Sequence, residues 1–338
     1  MAKELSIKST ARMMTKLLAL PLCGFLLAKA VMGQAGQTAR QAEPGTRNRP
    51  AMAYDAARKR MVIFGGAAKT KSAPDVWEWQ TDTWSWDGKQ WRKLSETGPS
   101  TRALPAMAFD SRRRKLVLFG GEHNGAALGD TWEWDGKQWN QAATSGPSPR
   151  WHHQLVYDSK RGKVILFGGN GGDHLPLFDD TWEWDGKQWT RINAAGPSGR
   201  TRFGMCYDDK RAKVVLFGGT PRSGVDGATW EYDGQSWRQV NSTGPSARSR
   251  FGLAYDSARA RTVLFGGYDG KAFQGDTWEW DGKQWAQVSS MAELGPRSEA
   301  PIAYDAQRRK VVVYGGGSTT GILNDIWEWD GRQWARMK

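Results

Sequence analysis

The residues best suited to chemistry are few. The four histidines of the 338-residue chain are His123, His152, His153 and His174, with Glu122 beside the first and Asp173 beside the last. Imidazole and carboxylate together bind Zn²⁺ or Cu²⁺. No helix or tight hairpin fixes the spacing of these four, so the expectation is no cofactor, with Zn or Cu at these histidines as the alternative. Six arginines, Arg47, Arg102, Arg150, Arg200, Arg248 and Arg297, each stand seven residues before a Tyr-Asp or Phe-Asp pair. A ring of guanidiniums would suit carboxylate or phosphate. Strict repetition favours a scaffold role instead, each arginine holding its own loop through carbonyl oxygens. Two residues further on the pattern breaks into Arg49, Leu104, His152, Arg202, Arg250 and Glu299. Arg49, His152, Arg202 and Arg250, with Phe203 and Phe251, are therefore the candidate ligand-binding residues.

Serine, cysteine and paired-carboxylate catalysis have no motif here, so no catalytic residue is assigned. The glutamates at 133, 183, 231, 279 and 328 repeat too regularly to be catalytic, and a cross-strand ladder to Gln138-type residues is their expected role.

What must position these residues is a repeated element. DTWEWDGKQW occurs at 130–139, 180–189 and 276–285, with near copies at 82–91, 228–237 and 325–334. Asp-Gly between strand-like runs is a hairpin signal, because a two-residue type I′ turn needs positive φ at both centres. A turn at Asp135-Gly136 would set Trp132 opposite Trp139 and place Trp132, Trp134 and Trp139 on one face. Those three indoles are expected to pack on the next repeat. Each unit also holds an apolar run ending in Phe-Gly-Gly or Tyr-Gly-Gly, such as Val164-Ile165-Leu166-Phe167, which has no polar side and suits a strand buried on both faces. In unit three the strands are expected at 151–157, 163–167, 181–184 and 188–192. Four short antiparallel strands repeated six times predict an all-β, six-bladed β-propeller. The blades fall at about 44–95, 96–143, 144–193, 194–241, 242–290 and 291–338. Unit one has seven extra residues, and the first of its two Trp segments, 75–79, is expected to be its third strand. No strand is left over for a partner blade, so blades one and six should close by face packing, unless residues 36–43 add an edge strand.

The period of about fifty residues, the Gly-Gly after an apolar strand and the later Trp strand resemble kelch repeats from Pro44 to Lys338. The resemblance implies a galactose-oxidase-like propeller fold with ligands at the rim that carries the loops before strand one and after strand two. It does not extend to the oxidase site, since Cys206 beside Tyr207 occupies a position held elsewhere by core residues. The Trp in the third strand and the Asp-Gly turn depart from the usual kelch unit. WD repeats have a shorter period and a Gly-His partner that is missing here, and the Asp-box of sialidases is echoed only faintly at Gly129–Trp132.

Lys3, Lys8, Arg12 and Lys16 precede the apolar run Leu17–Ala28, and small residues follow. This is a secretory signal pattern covering 1–35, with 36–43 as linker, and it predicts export to the periplasm, cell surface or beyond. Without residues 1–35 the formal charge falls from +13 to +9, and Cys206 is the one cysteine left, so no intrachain disulfide can form. The turns after strands one and three hold 23 cations against 13 aspartates, so one rim carries the surplus. No aromatics interleave with these cations, which argues against nucleic acid. The leading expectation is a protein- or carbohydrate-binding module with no membrane-integral domain in its mature form. The rivals are a metal-dependent or glycan-active enzyme using the histidine loops, and a scaffold docked on an anionic surface through the basic rim.

Overall fold

A computed structural model describes residues 43–69, 77–172, 175–241, 243–290 and 293–337, which belong to one compact unit, Gln41–Lys338. The expected signal segment lies outside the described residues, as does His174. No helix occurs among the described residues; six four-stranded antiparallel sheets do. In sheet two the strands are Ala106–Asp110, Lys115–Phe119, Thr131–Trp134 and Trp139–Ala143, in that order across the sheet. The innermost strands of successive sheets lie side by side, and Ile302–Asp305 of the sixth lies beside Ala51–Asp55 of the first. The sheets are therefore blades of a closed propeller.

The second strands form the core. Val164, Ile165, Leu166 and Phe167 are fully buried, as their uniformly apolar pattern requires. In blade three the middle strands are Lys163–Phe167 and Thr181–Trp184. The first strand begins only at Gln154, because Trp151 pairs separately with Asn170 and His152 adopts φ 56°.

The Trp hairpin differs from its expected register. Trp134, not Trp132, stands opposite Trp139, with ring centroids 5.5 Å apart. The Asp135 carboxylate accepts the backbone N–H of Lys137 at 2.8 Å and of Gln138 at 2.9 Å. That side-chain turn spreads the loop over four residues and leaves positive φ to Gly136 alone. Trp132, Trp134 and Trp139 still share a face, since a shift of two residues preserves alternation.

The indoles pack on the preceding blade, not the next. Trp134 and Trp139 join Ala51, Ala53, Val62 and Phe64 of blade one. The contact is latched by a hydrogen bond: the Trp139 indole N–H donates to Thr83 Oγ1 at 2.8 Å. The same bond recurs from Trp189 to Thr131, Trp237 to Thr181, Trp285 to Thr229 and Trp334 to Thr277. At the sixth junction Ile326 stands where the others have Thr, and Trp84, Trp86 and Trp91 pack against Val312, Tyr314 and Ile326. Among the described residues closure is by face packing, with each four-stranded sheet built from one stretch of chain; residues 36–42, where an edge strand was the alternative, lie outside them.

Two further expectations need correction. In blade one the third strand is Thr83–Trp86, the second Trp segment. Asp82 supplies the carboxylate for Arg47 at 2.6 Å, and Thr83 the hydroxyl for Trp139. The first segment, Trp77–Trp79, instead pairs with Ala67–Lys69 in a small outer sheet with Arg47–Asn48. The hairpin glutamates do not ladder to glutamines. Glu133 binds Arg113 and Lys115 and accepts the Trp184 indole N–H at 3.1 Å, so it joins blades two and three.

Candidate functional site: the channel mouth

Each loop entering an innermost strand carries a conserved-type arginine at one position and a variable residue two places later. Arg150 shows what the repeated arginine does. Its guanidinium is fully buried and donates to the Gly168 carbonyl at 3.0 Å, to the Ser148 carbonyl at 2.9 Å, and in a two-pronged pair to Asp180 at 2.6 and 3.0 Å. Burial pushes the Asp180 carboxyl up, but the hydrogen bond and charge of Arg150 more than offset it and hold the group below the usual range. Arg47, Arg102, Arg248 and Arg297 make the same two-pronged pair with Asp82, Asp130, Asp276 and Asp325, and Arg200 reaches Asp226 through one nitrogen while its other goes to Ser198 Oγ. Most of their donors are spent on the loop, so they are scaffold.

The residues two places later are a different ring. Arg49, Leu104, His152, Arg202, Arg250 and Glu299 all adopt φ of 55–60°, a left-handed conformation unusual for side-chain-bearing residues. Backbone bonds link them around the ring: Leu104 N–H to Arg49 O, Arg202 N–H to His152 O, Arg250 N–H to Arg202 O and Glu299 N–H to Arg250 O, at 2.7–3.4 Å. This turn of the chain sets six side chains of four types around a cavity of about 220 Å³. Met52, Met107, Leu155, Met205, Leu253 and Ile302 from the innermost strands line its neck.

The mouth is cationic. Arg49 Nε pairs with Glu299 at 2.8 Å, and Arg250 Nε lies 3.7 Å from the same carboxylate. His152 is held well below its ordinary value by burial and by the charges of Arg202, Arg49 and Arg250, so it is neutral. Three guanidiniums thus share the ring with one carboxylate, a surplus of two positive charges over an apolar neck.

The structure brings Arg49, His152, Arg202 and Arg250 together. Phe203 and Phe251 reach the cavity wall, but both rings are buried edge-on against Phe167 and Phe217, at 5.7 and 5.5 Å, and pack the blade junctions. His153 occupies the same place in blade three, edge-on to Phe119 at 5.5 Å, and burial followed by the Arg150 charge pushes it down to about 3. His123 lies away from the mouth, its ring tilted against Trp79 with centroids 5.2 Å apart. The Asn124 amide N–H donates to its Nε2 at 3.0 Å, and Thr101 Oγ1 lies 3.0 Å from its Nδ1. No group of three or more His, Cys, Asp or Glu placed to hold a metal occurs among the described residues.

The copper chemistry of an oxidase does not fit either. Cys206 and Tyr207 are neighbours on one strand and point to opposite faces. The Cys206 thiol is buried, 3.4 Å from Thr262 Oγ1, and pushed up to about 12 by burial. Sequence reasoning picked out the variable position, Glu299 included, but missed the Glu299 pairing with Arg49 and the left-handed ring itself. The signal was the break in repetition two residues after each arginine.

Six four-stranded blades with Gly-Gly after each second strand and a Trp-bearing hairpin define a kelch-repeat β-propeller. The chain matches the KLHDC2/KLHL20/DRC7 Kelch-repeats domain over residues 34–219 and 163–338, and it belongs to that family. No curated protein matches it.

Proposed function

We propose that this chain is a protein-binding propeller whose partner places an acidic group in the channel mouth. Kelch domains generally bind proteins, and the observation that carries the reading is the left-handed ring. Six non-glycine residues hold a conformation that costs about 1 kcal/mol each, and their types vary while the arginines two residues earlier never do. Variation on a fixed, strained frame is the mark of a surface that selects a ligand. The apolar neck suits a short aliphatic portion beside the charge. A sugar ligand would call for exposed aromatic faces, whereas Phe203 and Phe251 are buried. The basic segment followed by Leu17–Ala28 extends the reading to an exported protein that meets its partner at or beyond the cell envelope.

The test is a peptide array probed with the purified chain. Acidic peptides should be enriched among binders, and Arg250→Glu should weaken them by about tenfold, the loss of one charge-assisted contact. Enrichment of neutral or basic peptides, or undiminished binding by the variant, would sink the proposal.

A further inference from the structure

The rim opposite the mouth carries a second surface that the binding role does not use. The aspartate that opens each first turn is buried, while Asp87, Asp209, Asp233 and Asp281 are exposed among a larger number of cations. Asp110 is buried and holds Arg113, and that arginine also reaches Glu133; the arrangement recurs at Arg161, Arg211, Arg259 and Arg308. The aspartates of the Asp-Gly turns are engaged by backbone N–H groups, as Asp281 is by Lys283 N at 2.7 Å. Every blade presents an exposed cation on this rim: Lys59, Arg114, Lys160, Lys210, Lys283 and Arg309.

Three of these carry a backbone cost. Lys59, Arg114 and Arg309 sit at φ 56–59°, in a turn where blade three places Gly162 and blades four and five place Ala212 and Ala260 at φ 53°. Glycine would relieve the strain, so the cationic side chains stand where the backbone favours none. The mouth cavity and the groove between residues 127–130 and 144–149 both open on the other rim.

We propose that this rim seats the propeller on an anionic lipid bilayer. The cations are spread around a closed ring, and a plane of negative headgroups can meet all six blades at once. A linear polyanion would meet only those along its track. A single-stranded nucleic acid would also look for aromatic faces, and here Tyr157 and Tyr304 turn their hydroxyls to backbone N–H groups of the adjacent blade. With no apolar anchor on the rim, attachment is electrostatic and falls with salt.

The test is co-sedimentation of the full chain with phosphatidylcholine vesicles, with and without phosphatidylserine. Binding should need phosphatidylserine and weaken by about a hundredfold in the triple variant Lys59→Glu, Arg114→Glu, Arg309→Glu, at roughly tenfold or less per charge. A second triple, Lys137→Glu, Lys187→Glu, Lys283→Glu, alters exposed residues of the hairpin turns and gives the same readout if the first fails to fold. Both variants keep the basic N-terminal segment, so the difference reports the rim alone. Arg250→Glu at the mouth should leave vesicle binding unchanged. Equal binding by wild type and both variants would overturn the proposal, as would tighter binding to duplex DNA or an acidic polysaccharide than to the vesicles.

Discussion

Arg248 and Arg250 are two residues apart and do opposite things. Arg248 is buried, paired twice with Asp276 at 2.5 and 3.0 Å and bonded to the Gly266 carbonyl. Arg250 is about one-third exposed, in a left-handed conformation, with its nearest carboxylate oxygen 3.7 Å away. At every loop the first position is a buried arginine, while the second varies between arginine, leucine, histidine and glutamate. A guanidinium whose donors are all met by the fold is part of the frame, and one left at the frame's edge is available to a partner. Repetition marks the first kind and variation the second.

The contrast can be broken by measurement. The largest effect is expected from Arg248→Met, which strands the mostly buried Asp276 carboxylate and should lower unfolding free energy by about 3–5 kcal/mol. Arg250→Met, judged by the same denaturant titration, should cost under about 1 kcal/mol, as for exposed pairs. Equal losses would erase the distinction between frame and edge.

A second effect concerns pH. His153 is folded neutral with its value pushed down to about 3, against an ordinary value near 6.5. The unfolded chain therefore takes up the proton first. The histidine's contribution is complete above about pH 6.5 and is lost as pH falls from there toward the folded value, at up to about 1.4 kcal/mol per pH unit. His153→Phe, the residue type at the matching positions 203 and 251, should flatten stability across that window. An unchanged acid-unfolding profile would show that the ring does not stay buried.

The smallest effect is at the mouth itself. Arg250→Gly relieves the left-handed backbone and should leave thermal stability equal or raised by about 1 kcal/mol, while acidic-peptide binding falls. A drop in stability would mean that the arginine side chain holds the ring together.

Much of the frame was legible in the chain. Six copies of the Trp hairpin and of the Gly-Gly landmark announce six blades, and the unbroken apolarity of runs such as Val164–Phe167 announces strands covered on both faces. The hairpin register was not legible, because the Asp135 carboxylate competes for the turn and enlarges it, an effect the Asp-Gly signal alone does not contain. The direction in which the indoles pack was hidden for a related reason. It depends on Thr83 of one blade meeting Trp139 of the next, and nothing local ties the two. The choice between the Trp segments of unit one rested on the same distant partners, Arg47 for Asp82 and Trp139 for Thr83. At the mouth, the variable position could be picked out by comparing repeats, but its left-handed backbone could not, since none of the six residues is glycine. The pairing of Arg49 with Glu299 joins the two ends of the ring, 250 residues apart in the chain.

The Thr–Trp latch has a consequence for how such a chain can change over generations. One blade is one unbroken stretch of about fifty residues, and it carries both halves of the fastening, a threonine for its successor and a tryptophan for its predecessor. An in-frame duplication of that stretch would insert a sheet already fitted to both neighbours. Three identical ten-residue runs, at 130–139, 180–189 and 276–285, are what such copying leaves behind. Heredity can then add a blade whole and leave its mouth residue free to diverge toward a new partner.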